Sequence, residues 1–194
     1  NQYAHMRIHN TEKEIAKVTF RGEIDNKVTI WDNAGEQLYC CRQEEDMYFM
    51  SFVHCLIYRN ICYTCPYANS RRVSDLTIGD FWGLDENALN RYAGKKSVLL
   101  TNTENGRRFL KKIIDRFIIE KRTVEEAIQG NAQLNRPSSM HKDRERFCRE
   151  YVKSKNFSKA VSATSIKNEV RYYRVRNKLL WFPRIIKGRW KNRR

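Results

Sequence analysis

Residues 59–83, which read RNICYTCPYANSRRVSDLTIGDFWG, constrain this chain more than any other stretch. Cys62 and Cys65 stand there in a Cys-x-x-Cys spacing. That spacing lets one turn direct both sulfurs at a single metal ion or at one iron of a cluster, and it also suits a redox disulfide. Because one pair supplies only two ligands, these alternatives stay open, as does a turn with two unconnected thiols.

The second half of the stretch predicts a short strand that ends at a glycine. Residues 73–79 alternate, with Asp75, Thr77 and Gly79 on one face and Leu76 and Ile78 on the other. A strand with one mainly apolar side follows from this period of two. A glycine at the end of a strand lets the backbone approach a ligand closely, because it carries no Cβ. The next residues, Asp-Phe-Trp-Gly, add an acceptor, two flat aromatic surfaces and a turn.

Composition predicts one globular domain of ordinary size. The chain has 194 residues, of which 41% are hydrophobic and 31% charged, and no apolar run of about 18 residues. Its six cysteines do not form the pattern of a secreted disulfide framework, and the start, NQYAHMRIHN, lacks the apolar core of a signal peptide. We therefore expect a cytoplasmic location. Since residue 1 is not methionine, we also expect a fragment of a longer protein.

Hydrophobic periodicity predicts an α+β fold, with a small mixed or antiparallel sheet and flanking helices in one domain. Alternation predicts strands at 15–21, 28–31 and 36–41, and a short apolar run predicts a buried strand at 97–100. Steps of three and four predict helices at 44–58, 104–117 and 142–155. Thr123 with Glu126 is a capping-box signature. The predicted organisation is a domain over 1–155, a linker over 156–168 and a basic aromatic tail over 169–194 that is helical or disordered.

Most of the positive charge lies at the C-terminal end. The chain carries a formal net charge of +16, and residues 167–194 hold eleven Lys or Arg and one Glu, so +10 of it. Arginines alternate there with tyrosine, tryptophan and phenylalanine, a composition that can lie on an anionic membrane surface. A solvated tail is the main alternative. Nucleic acid, which the same composition can bind, is not the expected partner.

The motifs together resemble one family. The runs C-Y-x-C-x-Y-A and R-x-S-D-L-T-I-G-D-F-W-G are similar to the C-terminal domain of the coenzyme F420 hydrogenase/dehydrogenase beta subunits. The similarity extends upstream to the strand at 15–21. Downstream it includes Gly94, Ser97, the V-L-L-T-N-T-x-x-G run at 98–106, and residues 131–134 and 144–147. It spans roughly residues 1–155.

The resemblance implies an iron–sulfur flavoprotein oxidoreductase that moves electrons or hydride at a flavin beside a 4Fe–4S cluster. It implies cluster ligation by Cys62 and Cys65. It also implies FAD contacts from Asp75, Thr77, Gly79 and Asp80 on the flavin side and from Ser97, Asn102 and Thr103 on the diphosphate or ribityl side. The other cluster ligands would come from an N-terminal ferredoxin-like region or from a redox partner, because this chain lacks a C-x-x-C-x-x-C-x-x-x-C run.

Relatives with the Gly-Asp-Phe-Trp-Gly form resemble proteins of bacterial surface-polysaccharide (exopolysaccharide) pathways, and we expect that setting here. The catalytic residues stay unassigned, and the chain is expected to be part of an enzyme rather than a complete one. A second hypothesis is a zinc-knuckle-like binding module whose basic tail grips nucleic acid or an anionic membrane. It accounts for the cysteine pair and the charge. It leaves the run at 77–83 unexplained and needs a second ligand pair.

Overall fold

The computed structural model describes residues 13–21, 26–91, 93, 94 and 96–191. Within them the chain is α+β, as predicted, with two small antiparallel sheets and seven α-helices. Its contacts separate into two compact units, Asn1–Tyr58 with Met140–Arg194, and Arg59–Ser139. The single domain over 1–155 stays a prediction.

The first unit begins with the predicted meander of three strands. These are β1 (Ile15–Thr19), β2 (Lys27–Asp32) and β3 (Gln37–Arg42), paired antiparallel in the order β1-β2-β3. The turn between β2 and β3 forms because a carboxylate oxygen of Asp32 accepts from the backbone N–H groups of Ala34 and Glu36, at 2.9 and 2.8 Å. Gly35 closes the turn with a φ of +80°.

The described residues of the first unit also form four helices: α1 (Met47–Val53), α5 (Arg144–Ser154), α6 (Phe157–Ser162) and α7 (Ile166–Lys191). Helix α1 is shorter than the predicted helix at 44–58, because Cys55 takes a left-handed φ of +58°. One apolar cluster joins all four helices, and its buried members are Tyr48, Met50, Leu56, Phe147, Phe157, Ala160, Val161, Ile166 and Val170.

The segment predicted as a linker at 156–168 is packed in this unit. It contains α6 and the start of α7, and Phe157, Ala160, Val161 and Ile166 are among its buried residues. Its serines and lysines sit between these apolar positions, so the composition suggested a linker while the apolar spacing supports a helix. The predicted tail is helical as far as Lys191.

The second unit is built around a two-stranded antiparallel sheet. Strand β4 (Leu76–Asp80) pairs with β5 (Ser97–Thr101), and three helices accompany them: α2 (Glu86–Asn90), α3 (Glu104–Ile113) and α4 (Val124–Gly130). Its core consists of Val98, Ala127 and Leu134, with Phe81, Leu100 and Ile128 packed against them. As predicted, Thr123 caps α4 by accepting from the backbone N–H of Glu126 at 3.2 Å.

Residues 118–122 form no regular element. They are fixed instead by ion pairs, because the Arg122 guanidinium contacts both Glu120 and Glu126 and lowers the pKa of each carboxyl group. Arg91 adds a second contact to Glu120 at 2.7 Å.

None of the helices in the described part of the chain is both long enough and apolar enough to cross a bilayer.

Candidate functional site

The cysteine pair lies in a tight turn at the start of the second unit. A 3-10 turn over Asn60–Tyr63 brings the backbone N–H of Cys62 to the Arg59 carbonyl at 2.9 Å, and the N–H of Ala68 donates to the Cys65 carbonyl at 3.2 Å. The Ser138 N–H bonds the Cys62 carbonyl at 3.3 Å. Both cysteines are partly exposed and neither is in a disulfide. The backbone is therefore fixed while both thiols are available as ligands.

The described residues do not bring a complete metal site together. No group of three or more His, Cys, Asp or Glu side chains in that part of the chain is arranged to hold a metal ion. A tetrahedral site or a cluster needs about four donors. Ligation of a metal or cluster by Cys62 and Cys65 therefore stays a prediction, and it needs further donors from outside the described residues.

Four of the predicted flavin-site residues meet where β5 leads into α3. We call this group, Asp75, Thr77, Asn102 and Thr103, the polar junction. The Asn102 backbone N–H donates to the Asp75 carbonyl at 2.9 Å. The Asn102 side-chain amide donates to the Ser74 carbonyl at 2.9 Å and to the Thr77 hydroxyl at 3.0 Å. Asn102 therefore ties the start of α3 to the chain just before and within β4.

Thr103 completes the polar junction. Its hydroxyl donates to the Asp75 carboxylate and accepts from the Gly106 backbone N–H at 3.2 Å, so it is the N-cap of α3. Gly106 lies against the Asp75 backbone, since a Cβ at that position would stand 2.2 Å from the Asp75 carbonyl oxygen. The side chains of Asn102 and Thr103 are already hydrogen-bonded inside the unit. These bonds hold Asn102 and Thr103 in place beside Asp75 and Thr77.

The other three predicted residues lie at the open end of the sheet. Asp80 is the register partner of Ser97, and Gly79 is that of Val98. Gly79, Asp80 and Ser97 are exposed, whereas Val98 is buried in the core. A Cβ on Gly79 would meet only the Val98 side chain, at an ordinary 3.9 Å. The fold does not require glycine there, and the exposed backbone suits the close approach of a flat ligand.

The Phe-Trp-Gly corner after β4 divides its two aromatic residues between core and surface. Phe81 packs against the core of the unit, while Trp82 is 55% exposed. Gly83 turns the chain with a φ of +82°. The carbonyl oxygen of Trp82 would stand 1.6 Å from a Cβ on Gly130, so the end of α4 lies directly on this corner. The structure thus holds the corner in place through backbone contact.

Sequence reasoning missed two roles in this unit. Gly106 and Gly130 are both positions of close backbone approach, and only the first lay within a motif that the sequence singled out. Arg72 donates to the Gln133 carbonyl at 3.1 Å and so ties the loop after the cysteines to the 3-10 turn Ala132–Leu134. The adjacent arginines at 71 and 72 are visible in the sequence, but the sequence does not reveal that Arg72 binds the Gln133 carbonyl.

Comparison with known protein families decides the relationship. Residues 3–127 match the sequence profile of the family described as the C terminus of the coenzyme F420 hydrogenase/dehydrogenase beta subunit. The matched segment is more than half of the chain. The chain belongs to this family. The match includes the cysteine turn, the polar junction and the open end of the sheet, and its limit at residue 127 leaves the resemblance at 131–134 and 144–147 as a prediction. Neither curated proteins nor solved structures yielded a similar protein.

Proposed function

We propose that this chain is the C-terminal domain of an iron–sulfur flavoprotein oxidoreductase. Membership of a family of beta subunits of redox enzymes carries the proposal, because it applies to the segment that contains the cysteine turn and the β4–β5 sheet. The reaction is electron or hydride transfer at a flavin next to a 4Fe–4S cluster. When bound, the cofactors supply that chemistry, and the protein supplies position and electrostatic surroundings.

In this proposal Cys62 and Cys65 are two thiolate ligands of the cluster. Their partial exposure and their free thiols support this role. The remaining ligands come from an N-terminal ferredoxin-like region or from a separate redox protein, which is the principal partner. Because half a ligand set binds metal weakly, cluster binding should depend on that partner.

The flavin is held at the open end of the β4–β5 sheet. Gly79 presents exposed backbone there, and Asp80 and Ser97 offer polar groups on opposite strands. The polar junction fits a positioning role better than direct contact, since Asn102 and Thr103 bond to the chain around Asp75 and Thr77. In this proposal Asn102 and Thr103 hold β4 in the position in which it would contact the flavin.

We further propose a cytoplasmic setting in bacterial surface-polysaccharide metabolism. Free cysteines throughout the described residues support a reducing compartment. The Gly-Asp-Phe-Trp-Gly form supports the polysaccharide setting by resemblance alone. The competing hypothesis, a zinc-knuckle-like module, shares the cysteine pair but gives no role to the exposed glycine at position 79.

Composition of the purified protein tests the proposal. The complete gene should be expressed and its product purified without oxygen, and iron, acid-labile sulfide, zinc and flavin should then be measured. The proposal predicts iron and sulfide in equal amounts together with flavin absorption. Stoichiometric zinc without flavin would favour the binding module and contradict the redox function. A protein that holds iron, sulfide and flavin would support the redox function even if no substrate has yet been identified.

A further inference from the structure

Between Ile166 and Leu180, where its side chains are described, helix α7 has one apolar face packed in the core and another that is exposed. Ile166 and Val170 are buried in the core of the first unit, and Tyr173 packs against it. Arg174 donates to the Glu45 carbonyl at 2.8 and 3.1 Å, and Asn177 donates to the Glu45 carboxylate at 2.6 Å. These contacts fix the orientation of the helix on the unit.

The opposite side of α7 exposes an apolar stripe. Tyr172 is 61% exposed, Val175 52% and Leu179 65%. At 100° per residue these three positions fall within an arc of about 60°, on the side of the helix away from Ile166 and Val170. Single exposed apolar residues are ordinary, but three in line on a fixed helix form a continuous surface. We call it the outer stripe.

Positive charges border the outer stripe on both sides. Arg171 and Lys178 lie on one flank and Arg176 on the other, as the same helical geometry shows. All three side chains are exposed. Arg176 stands 5.8 Å from the Tyr173 ring centroid and forms a cation–π contact. In the described part of the chain, Arg171 and Lys178 form no ion pair with a carboxylate.

We propose that the outer stripe of α7 docks on an anionic lipid surface. Apolar side chains flanked by Arg and Lys are the arrangement with which a helix lies in the interface of a membrane. The chain beyond residue 180 continues this chemistry as WFPRIIKGRWKNRR, although its side chains lie outside the described residues. Tryptophan is favoured at the level of the lipid headgroups. This inference goes beyond the redox function and does not depend on it.

Nucleic acid accounts for the outer stripe less well. Phosphate contacts would use Arg171, Arg176 and Lys178, but Val175 and Leu179 would gain nothing from a sugar–phosphate backbone. The Tyr172 ring can stack on a base, but the aliphatic side chains of Val175 and Leu179 do not offer the flat surface that stacking needs. A lipid surface uses both the charges and the apolar groups, so it is the partner that the composition of the stripe favours.

Vesicle co-sedimentation of the full chain tests the proposal. Phosphatidylcholine vesicles are compared with vesicles that also contain phosphatidylglycerol, at low and at high salt. The proposal predicts binding to the anionic vesicles that weakens as salt rises. Equal binding to both kinds of vesicle, or none to the anionic ones, would overturn it.

Paired variants separate charge from apolar contact. R171Q with R176Q and K178Q should weaken binding about a hundredfold, since each basic residue near an anionic surface contributes close to one kcal/mol. The matched control removes three exposed lysines of the other unit, K111Q with K112Q and K121Q, and should change binding much less. Equal losses in both triple variants would show that net charge alone acts and would overturn docking through the stripe.

The apolar contribution has its own variant. V175S with L179S should weaken vesicle binding at least tenfold, because two side chains no longer enter the interface. V53S with V152S is the control, since it removes two exposed valines from elsewhere in the same unit. Circular dichroism checks that α7 remains helical in both. If V175S with L179S binds the vesicles as tightly as the unchanged chain does, the lipid assignment is wrong. It is also wrong if DNA, at a concentration equal to that of the lipid, displaces the vesicles from the chain.

Discussion

Two glycines in the second unit lack a side chain for different physical reasons. At Gly106 the backbone of Asp75 occupies the space that a Cβ would need, 2.2 Å from the carbonyl oxygen. At Gly79 the corresponding space holds only the Val98 side chain at 3.9 Å. The first glycine is required by packing. Packing does not require the second, so the absence of a Cβ at Gly79 can instead let a ligand approach the backbone.

Gly106→Ala should destabilise the fold. The new methyl group forces α3 away from the Asp75 backbone, and overpacking of this kind costs about 1–3 kcal/mol. Denaturant unfolding measures the loss. Lys112→Ala, at an exposed position of the same helix, is the control and should change the free energy of unfolding by less than about 0.5 kcal/mol. A Gly106→Ala protein as stable as the control would mean that the close approach is not maintained in solution.

Gly79→Ala should separate stability from cofactor binding. Alanine replaces glycine within a strand at no steric cost here, so stability should hold or rise by about 0.5–1 kcal/mol. The flavin content of the purified complete protein should fall, because a methyl group now stands on the exposed backbone. Unfolding curves and flavin absorption, measured on the same sample, check both parts. Full flavin content in this variant would contradict the proposal that the flavin binds at the open end of the sheet.

At the level of elements, the sequence predicted where strands lie better than which of their sides is buried. The strands of the β1–β3 meander and β4 followed from alternation and β5 from a short apolar run, while the pairing of β4 with β5 was not predicted. The apolar side of β4 was clear in sequence, yet Ile78 is 67% exposed, while the buried contact is made by Val98 opposite Gly79. Period two assigns residues to faces, but the covering helices decide which face is the core.

Helix boundaries failed for a local reason. The apolar pattern at 44–58 continues past the end of α1 at Val53, but Cys55 adopts a left-handed conformation, so Leu56 reaches the core from outside the helix. The segment 156–168, predicted as a linker, has buried positions such as Phe157 and Val161 among its serines and lysines. At 44–58 tertiary packing overrode the local pattern, whereas at 156–168 the apolar spacing agrees with the helices that form.

The start of α7 depends on the carboxylate of Asp143, which stands just before α5. Asp143 accepts from the Ser165 backbone N–H at 2.9 Å and from its hydroxyl at 2.8 Å. These bonds hold the pKa of Asp143 below its usual range. A group whose pKa is lowered in the folded state stabilises above its unfolded pKa, near 4, and that stability is lost as pH falls through the folded value.

Asp143→Asn should therefore cost about 1–2 kcal/mol at neutral pH, where charge-assisted bonds are lost. The cost should shrink below pH 4, about the unfolded pKa of the carboxyl, as Asp143 itself becomes protonated. Denaturant unfolding at several pH values, from neutral pH to below pH 4, measures the difference in the free energy of unfolding between the two proteins. Asp115→Asn, an exposed carboxylate of the other unit, is the control and should show little difference at any pH. A constant difference for Asp143→Asn across the interval would rule out the ionised bond.

For the whole molecule, the sequence supplied the family, the fold class and the two thiols, but not a complete site. The polar junction could not be foreseen, because Asn102 and Thr103 meet Asp75 and Thr77 only when β4 and β5 pair. Likewise, no pattern along the chain reveals a cluster ligand that another segment or partner provides. The central claim is therefore that Cys62 and Cys65 complete a cluster whose other ligands lie outside the described residues.

The most direct measurement of that claim is the iron and sulfide content of cysteine variants. The complete protein is purified without oxygen as the unchanged chain, as Cys62→Ser with Cys65→Ser, and as the control Cys55→Ser with Cys148→Ser. We predict that the first double variant loses the iron, the sulfide and the electron paramagnetic resonance signal of the reduced cluster, while the control retains all three. Full cluster content in Cys62→Ser with Cys65→Ser would contradict the account.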